Sequence, residues 1–476
     1  MTVEERIFET AKLTPQKLAI VAGSVKVSYE ELVQKVMLAA TYFKQCGLQH
    51  GDRVVISANK KVEFVYSYFG AHMAGLVCVP IDLETNPIRF WRILDFSQPK
   101  LIVGELRSKG KLNVIPFADV TAKQPAELQF PQLADIADLM FTTGTTGLPK
   151  GVALSFLNQK AAAEQINTFI GNTTDDVELL ALPISHSFGL GRLRCVFSKG
   201  ATLVLLGSFA SMKKFYAEME RCHCTGFGMV PSSWNYIQKM SGEKLADYAG
   251  QLKYIEIGSA FMSEVDKRKL MSILPNTKIC MHYGLTEASR SSFLSFHDDT
   301  THLMSIGKPS PGREIAVINN GEIVAEGTEG EICVKGDHVC SFYWGMSEED
   351  FRQDFYGDYF RTGDWGYKDT EGYIYLKSRI KEIINVGGKK VSPIEVEEVI
   401  NQIGGCEESA CVGVKDDVMG EVVKAFVVGT LTANDDDMIK QYVTARLENY
   451  KVPVYIEHIA ELPKTTSGKL QRLLLK

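Results

Sequence analysis

At 476 residues the chain is longer than one hydrophobic core serves, so two or more domains are expected. Hydrophobic residues make up 45% and charged residues 23%, the balance of a soluble globular protein, and a net charge of −6 leaves no cationic footprint for nucleic acid. Ten cysteines without framework spacing, an acidic amino terminus and no apolar run approaching about 18 residues exclude a disulfide scaffold, a leader and a membrane span, and point to a cytoplasmic protein.

Between Val25 and Glu287 short strand-like runs alternate with helical patterns. Tyr29 to Cys46 repeats Leu32, Val33, Val36, Ala40 and Phe43 at helical spacing, and strand-like runs follow near Val77, Leu179, Ala201, Thr225, Tyr254 and Lys278. This alternation predicts α/β architecture with mostly parallel, doubly wound sheets, two of them given the number of units. Around Ser310 the texture changes: REIAVINNGEIVAEGTEGEICVKG, with its Asn-Gly and Glu-Gly turns, predicts antiparallel hairpins or a small β-barrel-like subdomain. After Arg379 a hairpin from Glu382 to Val391, a helix opened by Ser392 and Pro393, strands near Cys411 and Ala425, a helix near Met438 to Glu448 and a strand near Val454 predict a small α+β unit.

The stretch FTTGTTGLPKGV, Phe141 to Val152, follows an apolar run and has the composition of a phosphate-holding loop. It departs from the Walker pattern at two positions: Pro149 stands where the second glycine belongs, without an N–H to offer, and Gly151 where the magnesium-binding hydroxyl belongs. Other loops follow other strands: ALPISHSFGLG with His186, HYGLTEA with Tyr283, Thr286 and Glu287, FRTGDWGY with Asp364, SRIKEIINVGG with Arg379 and Lys381, and PKTTSGKLQR with Lys469. Strand ends are where open α/β sheets place ligands. Cys222, His223 and Cys224, with Cys280 and His282, lack zinc-knuckle spacing and read as buried thiols instead of a metal centre.

The order TTGTTGLPKG, HSFG, YGLTE, TGDWG, RIKEIINVGG and TTSGK, with a match from Ser28 to Lys469, resembles the adenylate-forming superfamily: acyl- and aryl-CoA synthetases, peptide-synthetase adenylation domains and luciferases. The resemblance implies an AMP-binding domain over residues 1–380 and a mobile domain over 381–476. It implies ATP, Mg²⁺ and coenzyme A: a carboxylate displaces pyrophosphate from ATP, and a thiol then takes the acyl group from the adenylate. Thr142, Thr143, Gly144, Thr145, Thr146, Gly147 and Lys150 would hold the departing phosphates, and Tyr283 would stack on adenine. Thr286 would lie near the α-phosphate, Glu287 on the metal, and Asp364 on the ribose with Arg379 beside it. Lys469 would bridge carboxylate and α-phosphate, and His186 would sit at the mouth of an acyl pocket built with Val230, Gly258, Ser259, Ala260, Tyr283 and Ser289. Lys381 would be the hinge, and Gly387 and Gly388 would line the thiol tunnel.

Phe156 stands where many members have histidine, and Asn385 and Gly387 where plant aryl-CoA ligases have lysines. The alternative acceptor is a carrier-protein phosphopantetheine. A non-catalytic AMP- or acyl-binding protein would be expected to lack Lys469, Asp364, Arg379 or Glu287, all of which are present. No acid lies between Pro183 and Gly191 to meet an α-ammonium, so free amino acids are not expected as substrates. Arg290 and Arg192 are expected either in solvent or, more interestingly, at a polar or acidic substrate tail.

Overall fold

The computed structural model describes residues 1–106, 112–143, 149–464 and 470–475. Among them the chain forms four sheets. The first has nine strands. Its centre is the parallel set Lys278–Tyr283, Tyr254–Ile257, Gly226–Met229, Val177–Leu180, Thr202–Leu205 and Leu18–Ala22, with antiparallel strands at both edges. Strand order reverses at Val177–Leu180: the chain moves to Thr202–Leu205 on one side, then returns to Gly226–Met229 on the other. A crevice at such a reversal is where this architecture binds ligands.

The second sheet has seven strands. Arg53–Ser57, Val77–Ile81 and Leu101–Val103 are parallel, Ile136–Thr143 joins them, and Pro149–Ser155 turns back antiparallel to it. The helix Ser187–Lys199 lies between the two sheets and is buried on nearly every side. Residues two apart on a helix face opposite ways. Arg192 accordingly reaches Glu178 and Glu256 on the first sheet, while Arg194 reaches Asp138 on the second at 2.8 Å. Phe156, in the position noted above, packs edge-on against His72 at 5.0 Å and is core.

The third sheet is antiparallel, running through Glu314–Asn319, Gly330–Lys335, Tyr359–Lys368 and Ile374–Arg379 with short edge strands. It follows an open path, so the expected barrel-like subdomain is corrected to an open sheet: Glu322–Ile323 at one end and Phe355–Tyr356 at the other pair with one neighbour each. The fourth sheet holds the small C-terminal domain. Ile384–Val386 and Lys389–Val391 form the expected hairpin, Ser392 caps the helix Pro393–Ile400, and Cys406–Asp416, Gly420–Gly429 and Tyr455–His458 complete it. The hairpin turns on Gly387 and Gly388 with φ of +57° and +82°, a pair of left-handed residues that glycine supplies without strain. Turn geometry alone is therefore enough to require both glycines. Among the described residues, no helix is long and apolar enough to cross a membrane.

Candidate active site

Four loops meet above the carboxyl ends of the first sheet's parallel strands. One leads from Val177–Leu180 to His186, which caps the helix Ser187–Lys199 with its backbone and is half-buried. The second carries Gly258, Ser259 and Ala260 after Tyr254–Ile257. Ser259 has φ of +75°, a costly conformation for a residue with a Cβ and one that clusters at functional sites. The third carries Thr286 and Glu287 and closes on itself through reciprocal Leu285 and Ala288 backbone hydrogen bonds. Val230, after Gly226–Met229, caps the next helix and packs against the core cluster that contains Leu182, Phe188 and Tyr283.

On one side of these loops is a polar trio. Tyr283 is buried, and its hydroxyl donates to Asp364 Oδ2 at 2.5 Å. Arg379 Nε lies 2.8 Å from Asp364 Oδ1, because Asp364 and Arg379 stand directly opposite one another in the third sheet. The two oxygens of a carboxylate offer about four acceptor sites, so this one can still receive a vicinal diol.

On another side stand Glu287, Tyr343 and Lys150. The Tyr343 hydroxyl donates to Glu287 Oε1 at 3.0 Å, and Lys150 Nζ sits 4.3 Å from the centre of the Tyr343 ring. Lys150 lies opposite Thr142, on the antiparallel strand Pro149–Ser155. The Cys340 N–H donates to the Glu287 carbonyl at 2.7 Å and pins the carboxylate's backbone. A hard carboxylate oxygen held in this way suits Mg²⁺. Tyr343 was not anticipated from sequence. Its aromatic setting, SFYWG, gave no sign of a polar task.

Gly144, Thr145, Thr146, Gly147 and Lys469 lie outside the described residues, as does the side chain of Thr143. The ends of the Lys469 segment are held: Lys464 bridges Leu470, and Arg472 pairs with Glu397 and, at 2.9 Å, with Glu382 beside Lys381. Lys381 itself lies in a short turn, Ile380–Glu382, between the third and fourth sheets.

Between the loops is a cavity of about 30 Å³ walled by Ser187, Ser259, His282, Thr286, Ser289 and Arg290, with Phe188 and Leu285. Ser259 and Ser289 are among its walls. Both arginines are buried, so the reading of them as solvated is corrected, and Arg290 stands in the cavity wall while Arg192 does not. Arg192 is 1% exposed and held by Glu178, with Nε to Oε1 at 2.8 Å, and by Glu256 at 3.1 Å. Arg290 bonds Glu256 at 3.0 Å through Nε, Ser187 and Ser289 through Nη1, and Phe188 O through Nη2. Glu256, a charge inside the apolar run YIEIG, was the overlooked signal, since a carboxylate in a buried strand needs cations around it. Cys222 and Cys224 donate to Glu218, whereas Cys280 donates to the Ile255 carbonyl and His282 lies against Glu256. Among the described residues His72, Cys78 and Asp138 are close enough to hold an ion, but Asp138 already receives Tyr68, Gln159 and Arg194 and serves the fold. A larger cavity, about 780 Å³, opens beside the strand Phe342–Tyr343 and contains none of the predicted site residues.

The AMP-binding enzyme family model matches residues 7–344, and the model of the AMP-binding enzyme C-terminal domain matches residues 395–469. The chain is 30% identical to a long-chain-fatty-acid–CoA ligase of Bacillus subtilis (strain 168), over 99% of this chain and 93% of that protein. It superposes with a TM-score of 0.90 on o-succinylbenzoate-CoA synthetase from Bacillus subtilis in complex with its acyl-adenylate intermediate, at 26% identity over 99% of this chain and 97% of the other. ATP-bound MatB from Rhodopseudomonas palustris gives a TM-score of 0.89 at 26% identity, covering 100% and 98% of the two chains. The chain belongs to the AMP-binding enzyme family of adenylate-forming ligases.

Proposed function

We propose that this chain is an AMP-forming acid–CoA ligase. The observation that carries this reading is the convergence of two groupings on one set of strand ends, a diol-receiving trio (Tyr283, Asp364, Arg379) and a metal-and-phosphate trio (Glu287, Tyr343, Lys150). A substrate carboxylate oxygen attacks the α-phosphorus of ATP, the bond to the β-phosphate oxygen breaks, and pyrophosphate leaves. A thiolate then attacks the acyl carbon and AMP leaves. Tyr283 and Asp364 hold the nucleoside, Lys150 and the 142–147 loop meet the leaving phosphates, and Thr286 lies by the α-phosphate. Glu287 would hold Mg²⁺, which when bound would supply positive charge as phosphate charge accumulates. His186 stands at the acyl mouth, with Gly258, Ser259 and Ala260 along the pocket. The boundary at residues 380 and 381 is supported by the Ile380–Glu382 turn between two sheets, and Lys381, Gly387 and Gly388 are read as hinge and thiol-side hairpin. Ten free cysteines support a cytoplasmic setting.

The test is acid-dependent release of pyrophosphate and AMP from Mg-ATP, followed by thioester formation with CoA against a pantetheinylated carrier protein. Faster transfer to the carrier would move the reading to the alternative acceptor, and no acid-dependent release would remove it.

Tyr343 supplies a separate check. Tyr343→Phe keeps the ring beneath Lys150 and deletes the hydroxyl on Glu287, so the Mg²⁺ concentration for half-maximal activity should rise by roughly 10-fold, the scale for a lost partner of a metal ligand. An unchanged Mg²⁺ requirement would mean that Tyr343 merely packs.

A further inference from the structure

The N-terminal helix Val3–Leu13 buries Val3, Ile7 and Thr10, and with them one acid, Glu4. Glu4 is 1% exposed, its Oε1 lies 2.7 Å from His72 Nδ1, and its Oε2 has no partner among the described residues. His72 is fully buried on the helix Val62–Met73. Around it stand Tyr68 on the same helix, Cys78 on Val77–Ile81 and Phe156 on Phe156–Ile170. Asp138, on Ile136–Thr143, places Oδ1 3.3 Å from His72 Nε2. The other oxygen of Asp138 accepts from Tyr68, Gln159 and Arg194, and Arg194 at 2.8 Å balances its charge.

That leaves Glu4 and His72 to balance each other. A carboxylate beside a neutral imidazole would give this interior one uncompensated negative charge, which is costly. One proton on the pair removes it, whether held as imidazolium against carboxylate or as carboxylic acid against imidazole. Burial opposes a charged ring, but Cys78, Tyr68 and the hydrogen bond to Asp138 outweigh it and hold the imidazole well above its ordinary value. Free in water, an imidazole keeps its proton only below about pH 6.5. Docking of Glu4 therefore takes up a proton from neutral solution. The stabilisation is complete below that pH and is lost as pH rises through the folded value. We propose that Val3–Leu13 is a proton-dependent strap, docked while the Glu4–His72 pair holds one proton and released when alkaline pH removes it. The strap packs on the helix Ser187–Lys199, and at that helix's end any Cβ on Gly200 would stand 2.6 Å from Thr10 Oγ1. Release thus uncovers one side of the helix that His186 opens. The strap is independent of the ligase reading.

The experiment is hydrogen exchange of the full chain, read by mass spectrometry between about pH 6.5 and 9 and expressed as protection factors, which removes the intrinsic acceleration by base. Protection of Val3–Leu13 should fall by up to about 10-fold per pH unit above neutrality, the linkage of a single proton. The helix Pro393–Ile400, in the C-terminal domain, serves as the reference and should change by less than about 3-fold. Glu4→Gln presents an amide oxygen to Nδ1–H and needs no proton, so its profile should be flat. Glu4→Leu/His72→Leu removes the pair together and should be flat as well. A flat wild-type profile overturns the proposal, and so does a slope that persists in Glu4→Gln. If one variant fails to fold, the other decides beside wild type. One equivalent of zinc retained through chelator treatment would also overturn it, because a cation on His72, Cys78 and Asp138 would balance Glu4 without a proton.

Discussion

Lys469→Ala is expected to slow acyl-adenylate formation by about 10²–10³-fold, the cost of removing one preorganised electrostatic donor from a transition state that gathers negative charge. Thioester formation from a synthetic acyl-adenylate should be nearly unaffected, because that step has no α-phosphorus displacement to stabilise. Of the described residues around it, Lys464 bridges Leu470, and Arg472 pairs with Glu397 and with Glu382 in the turn that contains Lys381. The measurement is pre-steady-state pyrophosphate release beside single-turnover thioester formation. Equal losses in both steps would mean that one static arrangement serves the whole reaction. Gly388→Trp is a poorer converse probe: at φ of +82° any side chain strains the hairpin before it obstructs a thiol.

Strand-end loops were legible in the sequence because each pairs an apolar run with glycine, hydroxyl and charge at short range: Tyr283 ends the strand Lys278–Tyr283 and Thr286 and Glu287 follow it, whereas Asp364, read as a loop residue, lies within the strand Tyr359–Lys368. What was not legible depends on contacts between distant segments. Nothing local in GLGRLRCVF reveals a helix between two sheets, with Arg192 turned to one and Arg194 to the other. Tyr343 meets Glu287 only because the strand Phe342–Tyr343 adds to the edge of the second sheet beside Pro149–Ser155. His282 reads as one more residue of a strand until Glu256, on the neighbouring strand, holds its Nδ1. The third sheet stays open for the same reason, since hairpin turns specify neighbours and not closure.

Arg192→Met should destabilise the N-terminal domain by about 3–5 kcal/mol, a large share of the roughly 5–15 kcal/mol by which a domain is stable. The substitution conserves much of the volume and the helix preference, so the cost lies in what it strands. Glu256 would keep Arg290 and His282, but Glu178, 1% exposed, would retain the Tyr254 hydroxyl at 2.7 Å and lose its guanidinium. An ionised carboxylate left in that interior is what destabilises. Arg192→Met/Glu178→Met removes the stranded charge together with its partner and should recover most of the loss, since replacing a whole buried pair by apolar side chains is often neutral. Thermal midpoints of the N-terminal transition, compared for wild type, both single variants and the double, measure the coupling. If the double variant is as unstable as the sum of the singles, the pair contributes through packing alone. If Arg192→Met is as stable as wild type, the buried network contributes nothing to the stability of this domain.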